Sequence, residues 1–194
     1  VQPSIRHRGG VDPTALQAAV GLLVERHESL RTVFRVVGGE PRQVVLPVVR
    51  VPLEAHDLRR LPPDQRAQTT TELVSEFATR PFDLSTGPLL RTGLLWLDER
   101  EFVLLVGVHH VVADGWSVGV LSRELGEVYG DLVGGGDGRV LAPLVVQYVD
   151  FAVWQRERLA GEWLVGELGW WRGALDGLSG LALPTDRPRP AVQG

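Results

Sequence analysis

A change of period inside one short stretch restricts the fold of this chain more than any other feature. Phe102 to Val108 is an unbroken apolar run that reads as a strand buried on both faces. It stops at His109-His110, and from Ser117 onward Val118, Leu121, Leu125, Val128 and Leu132 recur at helical spacing. The residues between must turn an interior strand into a helix, with Ser117 as the expected N-cap. That architecture is α/β, a mixed sheet flanked by helices. The turn also aims the free N–H groups of the new helix at whatever the histidines face.

Proton handling beside an anion-tolerant helix end is the chemistry such a turn supports. Imidazole exchanges protons near neutral pH, and a helix N-terminus stabilises negative charge developing on an oxygen. Adjacent strand residues point to opposite faces, so His109 and His110 cannot both face one ligand. One histidine is expected to be chemical and the other structural. A zinc site is disfavoured on the same ground, since His7, His27 and His56 supply no further ligand cluster.

Other segments read more conventionally. Ser4 to Arg8 is an expected strand, broken by Gly9-Gly10. Asp12 caps a helix with Pro13 at its first position, carrying Leu16, Ala19, Val20, Leu23 and Leu30 at helical spacing and ending near Glu28. Thr32 to Val37 and Gln43 to Leu46 read as a hairpin whose loop, Gly38-Gly39-Glu40-Pro41, is longer than two residues. An extended segment follows over Val48 to Leu53. Pro62-Pro63 opens a helix ending at Arg80-Pro81, and Leu89 to Leu97 forms an antiparallel pair with the strand from Phe102. Gly134 to Gly138 reads as a flexible surface loop, not a phosphate cradle. Gln147 to about Leu175 is helical with a glycine-induced break, and residues 181–194 are proline-rich and extended.

Composition closes several routes. Cysteine is absent, which removes disulfides and thiolate chemistry, and all 20 basic residues are arginine, which removes a lysine Schiff base. A net charge of −4 without a basic cluster argues against nucleic acid as a partner. No apolar run suits a membrane span, so a cytoplasmic location is expected. The lack of methionine suggests that the chain is a piece of a larger one.

His109-His110-Val111-Val112-Ala113-Asp114-Gly115-Trp116-Ser117 resembles the HHxxxDG signature of nonribosomal peptide synthetase condensation domains, within the chloramphenicol-acetyltransferase-like acyltransferases. Arg26-His27-Glu28-Ser29-Leu30-Arg31-Thr32-Val33-Phe34 resembles the RHExLRTxF motif of that family, and Tyr148-Val149-Asp150-Phe151-Ala152-Val153-Trp154 its YxDFAVW motif. Leu183 to Pro190 is similar to the segment that follows. The resemblance implies a chloramphenicol-acetyltransferase-like sandwich. Residues 1–180 would form the amino-terminal lobe of a two-lobed domain, with 181–194 leading toward the second lobe.

The implied reaction is amide bond formation between a donor acyl or peptidyl thioester and an acceptor aminoacyl amine. Both would be carried on the phosphopantetheine of donor and acceptor peptidyl carrier proteins, with no cofactor or metal bound by the chain itself. The other partners implied are the carboxy-terminal lobe and adjacent synthetase domains. The resemblance makes His110 the chemical residue, as general base or as positioning group, and Gly115 the point where substrate approaches the backbone. His109, Asp114 and Arg31 would support the site, the last two as a buried ion pair. Trp116 and Ser117 would contact substrate. Another HxxxDG acyltransferase, using a coenzyme A thioester or an alcohol, and a non-catalytic carrier-binding lobe are the alternatives.

Overall fold

The computed structural model describes residues 4–180 together with Pro184, Asp186 and Arg187. Residues 1–151 and 152–194 form two compact units. In the first, β1 (Ser4–Arg8), α1 (Pro13–Arg26) and a 3₁₀ turn (Glu28–Arg31) precede the hairpin β2 (Thr32–Val37) and β3 (Glu40–Val45). Then come β4 (Leu53–Asp57), α2 (Pro63–Thr79), β5 (Leu90–Asp98), β6 (Glu101–Val108) and α3 (Gly115–Val133). Strands order as β1-β6-β5-β4 in a mixed sheet, where β6 is antiparallel to both its neighbours and β4 is parallel to β5. Parallel neighbours need a crossover, and α2 supplies it.

The period-2 alternation of β5 and β6 sorts their side chains between two helical layers. Leu94 and Leu104 pack with Leu16 of α1 and Leu125 of α3 on one face. Leu95, Leu97, Val103 and Leu105 pack with Phe77 and Leu73 of α2 on the other. Both faces are therefore dry, which is why these strands read as continuous apolar runs instead of alternating ones.

Three expectations need correction. Val37 pairs directly with Glu40, so the hairpin loop is the two-residue Gly38-Gly39 turn, with φ of 61° and 82°. Two successive positive φ angles make the primed turn that matches strand twist, and only glycine adopts them cheaply. The extended segment after the hairpin becomes a strand later than expected, at Leu53, where β5 is within pairing reach. The glycine run after α3 is not simply loose. Gly138 is buried with φ 76°, its N–H donates to the Asp131 carboxylate at 2.9 Å, and an added Cβ would lie 2.5 Å from Leu22 Cδ1. Gly138→Ala is expected to cost about 1–3 kcal/mol in a denaturant titration, from overpacking and unfavourable backbone together.

The boundary between the units falls within α4 (Tyr148–Arg158), and α5 (Gly161–Ala174) follows in the second unit after the break expected from the glycines, here at Leu159-Ala160 with Gly161 at φ 62°. Neither helix buries a residue, and Trp154, Trp163, Trp170 and Trp171 are all exposed. The proline-rich stretch expected at 181–194 lies outside the described residues, apart from Pro184, Asp186 and Arg187.

Candidate active site

β6 delivers the two histidines, and the sheet separates them. His109 still belongs to the ladder, its N–H donating to Leu89 O at 2.9 Å. Its parity places it with Val103, Leu105 and Gly107 on the α2 face, where its ring meets Phe82 edge-on at 5.9 Å and 88°. Nδ1 accepts the Val111 N–H at 3.1 Å, and the His109 carbonyl accepts the Val112 N–H at 3.1 Å. These two bonds close a tight turn. An accepting Nδ1 places the hydrogen of neutral His109 on Nε2. His109 thus supports the turn structurally, and His110 stands on it.

His110 has left the ladder and is exposed, with no hydrogen-bond partner for its imidazole among the described residues. Asp114, four residues on, caps the helix that follows. The Asp114 carboxylate accepts the Ser117 hydroxyl at 2.6 Å and the Ser117 N–H at 2.9 Å. Those bonds, with a smaller contribution from the charge of His110, hold its carboxyl below the usual aspartate range. Asp114, rather than Ser117, is therefore the N-cap of α3, and Ser117 is its donor three residues on. Gly115 begins the helix with open space where a Cβ would stand, and its φ is not positive. Trp116 is 84% exposed, while Ser117 is half-buried.

The expected buried Asp114–Arg31 pair is not formed. Arg31 donates to Leu46 O at 2.8 Å and pairs with Glu28 at 3.1 Å, while Asp114 is exposed and occupied by Ser117. Glu28, one 3₁₀ turn before Arg31, is simply the nearer carboxylate. Asp114→Asn, which still caps, is expected to leave the melting temperature unchanged, and Asp114→Ala to lower it by about 2–4 °C, the size of a lost cap. A drop several times larger would favour the ion pair over the cap.

A different charge cluster ties the end of α1 to α3. Glu124 Oε2 lies 2.6 Å from His27 Nε2 and 3.2 Å from Arg26 Nε, all three largely buried. Arg26 also donates to Ala142 O at 2.6 Å, and Gln147 bridges Arg26 O and the Glu28 N–H. Burial pushes the Glu124 carboxyl up, but the hydrogen bond and charge of His27 and the charge of Arg26 outweigh it and hold it below its ordinary value. The sequence carries a signal for this cluster that periodicity alone overlooks. Glu124 sits on the apolar stripe between Leu121, Leu125 and Val128, where a carboxylate requires a buried partner. Among the described residues no group of three or more His, Asp or Glu side chains is arranged to hold a metal ion.

The family described as Condensation domain matches residues 1–194. The chain belongs to the condensation domain family. It is 44% identical, over all of its length, to a linear gramicidin synthase of Brevibacillus parabrevis, and spans 4% of that protein. It is 46% identical to a phosphinothricin tripeptide synthetase of Streptomyces viridochromogenes, of which it spans 18%. Among solved structures, the X-domain from teicoplanin biosynthesis superposes on 99% of the chain with a TM-score of 0.82 and 32% identity, the chain covering 42% of it. The epimerization domain from the third module of tyrocidine synthetase B shares the fold, with a TM-score of 0.79. The mixed sheet flanked by helices is the chloramphenicol-acetyltransferase-like fold of condensation domains, and the two synthetases are nonribosomal peptide synthetases of secondary metabolite biosynthesis.

Proposed function

We propose that this condensation domain lobe forms an amide bond between two carrier-bound substrates, with His110 as its chemical residue. The observation that carries the reading is the separation of the two histidines. One is spent holding the turn, and the other is exposed, without a hydrogen-bond partner among the described residues, beside the capped N-terminus of α3. The acceptor α-amine attacks the donor thioester carbon, the tetrahedral oxyanion collapses, the C–S bond breaks and the thiol leaves. The nitrogen must lose a proton in that sequence, and His110 is placed to accept it.

An α-amine of pKa about 7.7–8.0 is already partly neutral near pH 7.5, so generating the free amine saves under about 1 kcal/mol. Orienting it against the thioester is the larger contribution. Gly115, without a Cβ at the start of α3, leaves the backbone open to substrate, and the exposed ring of Trp116 with Ser117 lines the same edge. The partners proposed are donor and acceptor carrier proteins bearing phosphopantetheine arms, a carboxy-terminal lobe, and neighbouring synthetase domains, in the cytoplasm. No helix among the described residues is long and apolar enough to cross a membrane.

A single-turnover assay of the intact two-lobed domain with loaded donor and acceptor carriers tests the reading, and amide product is the expected result. Product from coenzyme A thioesters alone would transfer the site to a different acyltransferase class. A second reading, a binding platform without turnover, draws on the solved complex of the teicoplanin X-domain with OxyB, a chain 32% identical to this one with a TM-score of 0.80. Carrier binding without product from the folded domain would favour it.

A further inference from the structure

We infer that Arg91 is a positioning residue for the His110 turn, acting through Phe82 and His109. The inference rests on the amide-forming role proposed above. Arg91 lies inside β5, 8% exposed, opposite Gly107 of β6. The slot it occupies depends on that glycine, because a Cβ at position 107 would sit 3.1 Å from Arg91 Cγ and 3.1 Å from Phe77 Cε1. The guanidinium carbon stands 3.7 Å from the centroid of the Phe82 ring and 5.7 Å from that of Phe77, and one terminal nitrogen donates to the Arg80 carbonyl. Its Nε is buried without a hydrogen-bond partner, and the nearby Glu54 carboxylate is paired with Arg80 instead.

A buried cation whose one attractive charge, Glu54, is already paired with Arg80 at 2.6 Å gains little for a fold. An apolar side chain of equal length would fill the slot without the desolvation cost. Burial, followed by the like charge of Arg80, depresses the basicity of Arg91 against a smaller opposing effect of Glu54. What the cation does have is the face of Phe82, over which its guanidinium carbon lies. The Phe82 ring in turn meets the His109 imidazole edge-to-face, and His109 accepts the Val111 N–H that closes the turn under His110. Arg91, Phe82, His109 and the turn form one contiguous chain of contacts, running from the interior of the sheet to the chemical residue.

Three variants test the chain of contacts in the intact domain. Arg91→Met keeps reach and apolar volume but removes the cation, and Phe82→Leu removes the ring, while Phe82→Tyr restores a stacking face. The expected result is a fall in kcat of about tenfold or more for the first two, with KM for both carriers held within about twofold, because misplacing a reacting group costs rate rather than binding. Phe82→Tyr should recover near wild-type kcat. Hydrogen exchange at the Val111 amide gives a readout independent of turnover, and its protection is expected to fall in Arg91→Met with no loss of melting temperature. Unchanged Val111 protection, or a kcat loss that merely tracks melting temperature, overturns the inference. If wild type makes no amide, the functional reading fails by itself, and Val111 protection still decides the role of Arg91.

Discussion

His110→Ala is expected to lower single-turnover amide formation by about 10²–10⁴-fold, the range for loss of a general acid–base group, while melting temperature and carrier binding stay at wild-type values. The dissociation of activity from stability follows from where the side chain is. His110 is exposed and makes no hydrogen bond among the described residues, so its removal opens no cavity and leaves no buried group unpaired. His109→Ala should behave in the opposite way. It deletes the acceptor for the Val111 N–H and the edge contact with Phe82, so activity falls together with the order of the turn. If His110→Ala keeps full rate in the same assay, the imidazole has no part in the chemistry. A loss near the lower bound, unchanged across pH, would mark positioning of the amine as its main contribution.

Glu124→Ala is expected to be the most destabilising single substitution in the first unit, at about 3–5 kcal/mol by denaturant titration. The change strands the largely buried Arg26 guanidinium and His27 imidazole, which now share one carboxylate oxygen. It also removes the polar tie between α3 and α1, and α3 carries the Asp114 cap. The wild-type contribution should depend on acid in a defined direction. The Glu124 carboxyl is held below its ordinary value of 4.5 in the folded chain, so its stabilisation is complete above about pH 4.5 and fades as pH falls through the lower folded value. Glu124→Ala should lack that acid-side loss. A stability curve for the variant that runs parallel to wild type below pH 4.5 would assign the acid sensitivity to other carboxylates.

Much of the layer structure is legible from periodicity because each element has a dominant partner. Leu16, Ala19, Val20 and Leu23 are buried as their spacing implies, and β1, α2, β5, β6 and α3 lie within a few residues of the expected bounds. Two of the misses share a cause. The late start of β4 and the seating of Gly138 are each decided by a contact distant in sequence, with β5 or with Leu22, whereas the two-residue hairpin loop is set locally by the Val37–Glu40 pair across Gly38-Gly39. The site divides in the same way. Alternation along β6 separates His109 from His110, but it cannot foresee that Asp114 would be satisfied locally by Ser117, leaving Arg31 to Glu28. Arg91 and Glu124 are charges lodged in apolar patterns, and only the packed interior reveals what each one holds.

β6 is hydrogen-bonded on both sides, to β1 and to β5, and this gives the histidine doublet a parity it cannot escape. Inserting or deleting one residue in β6 would exchange the faces of every side chain beyond it, handing the solvent-facing place to the histidine that now braces the turn. Two neighbouring strands would have to be re-registered to accommodate such a slip. Evolution and engineering are therefore denied small adjustments at this point and left with the loops around it, so substrate preference can drift while the address of the imidazole stays fixed.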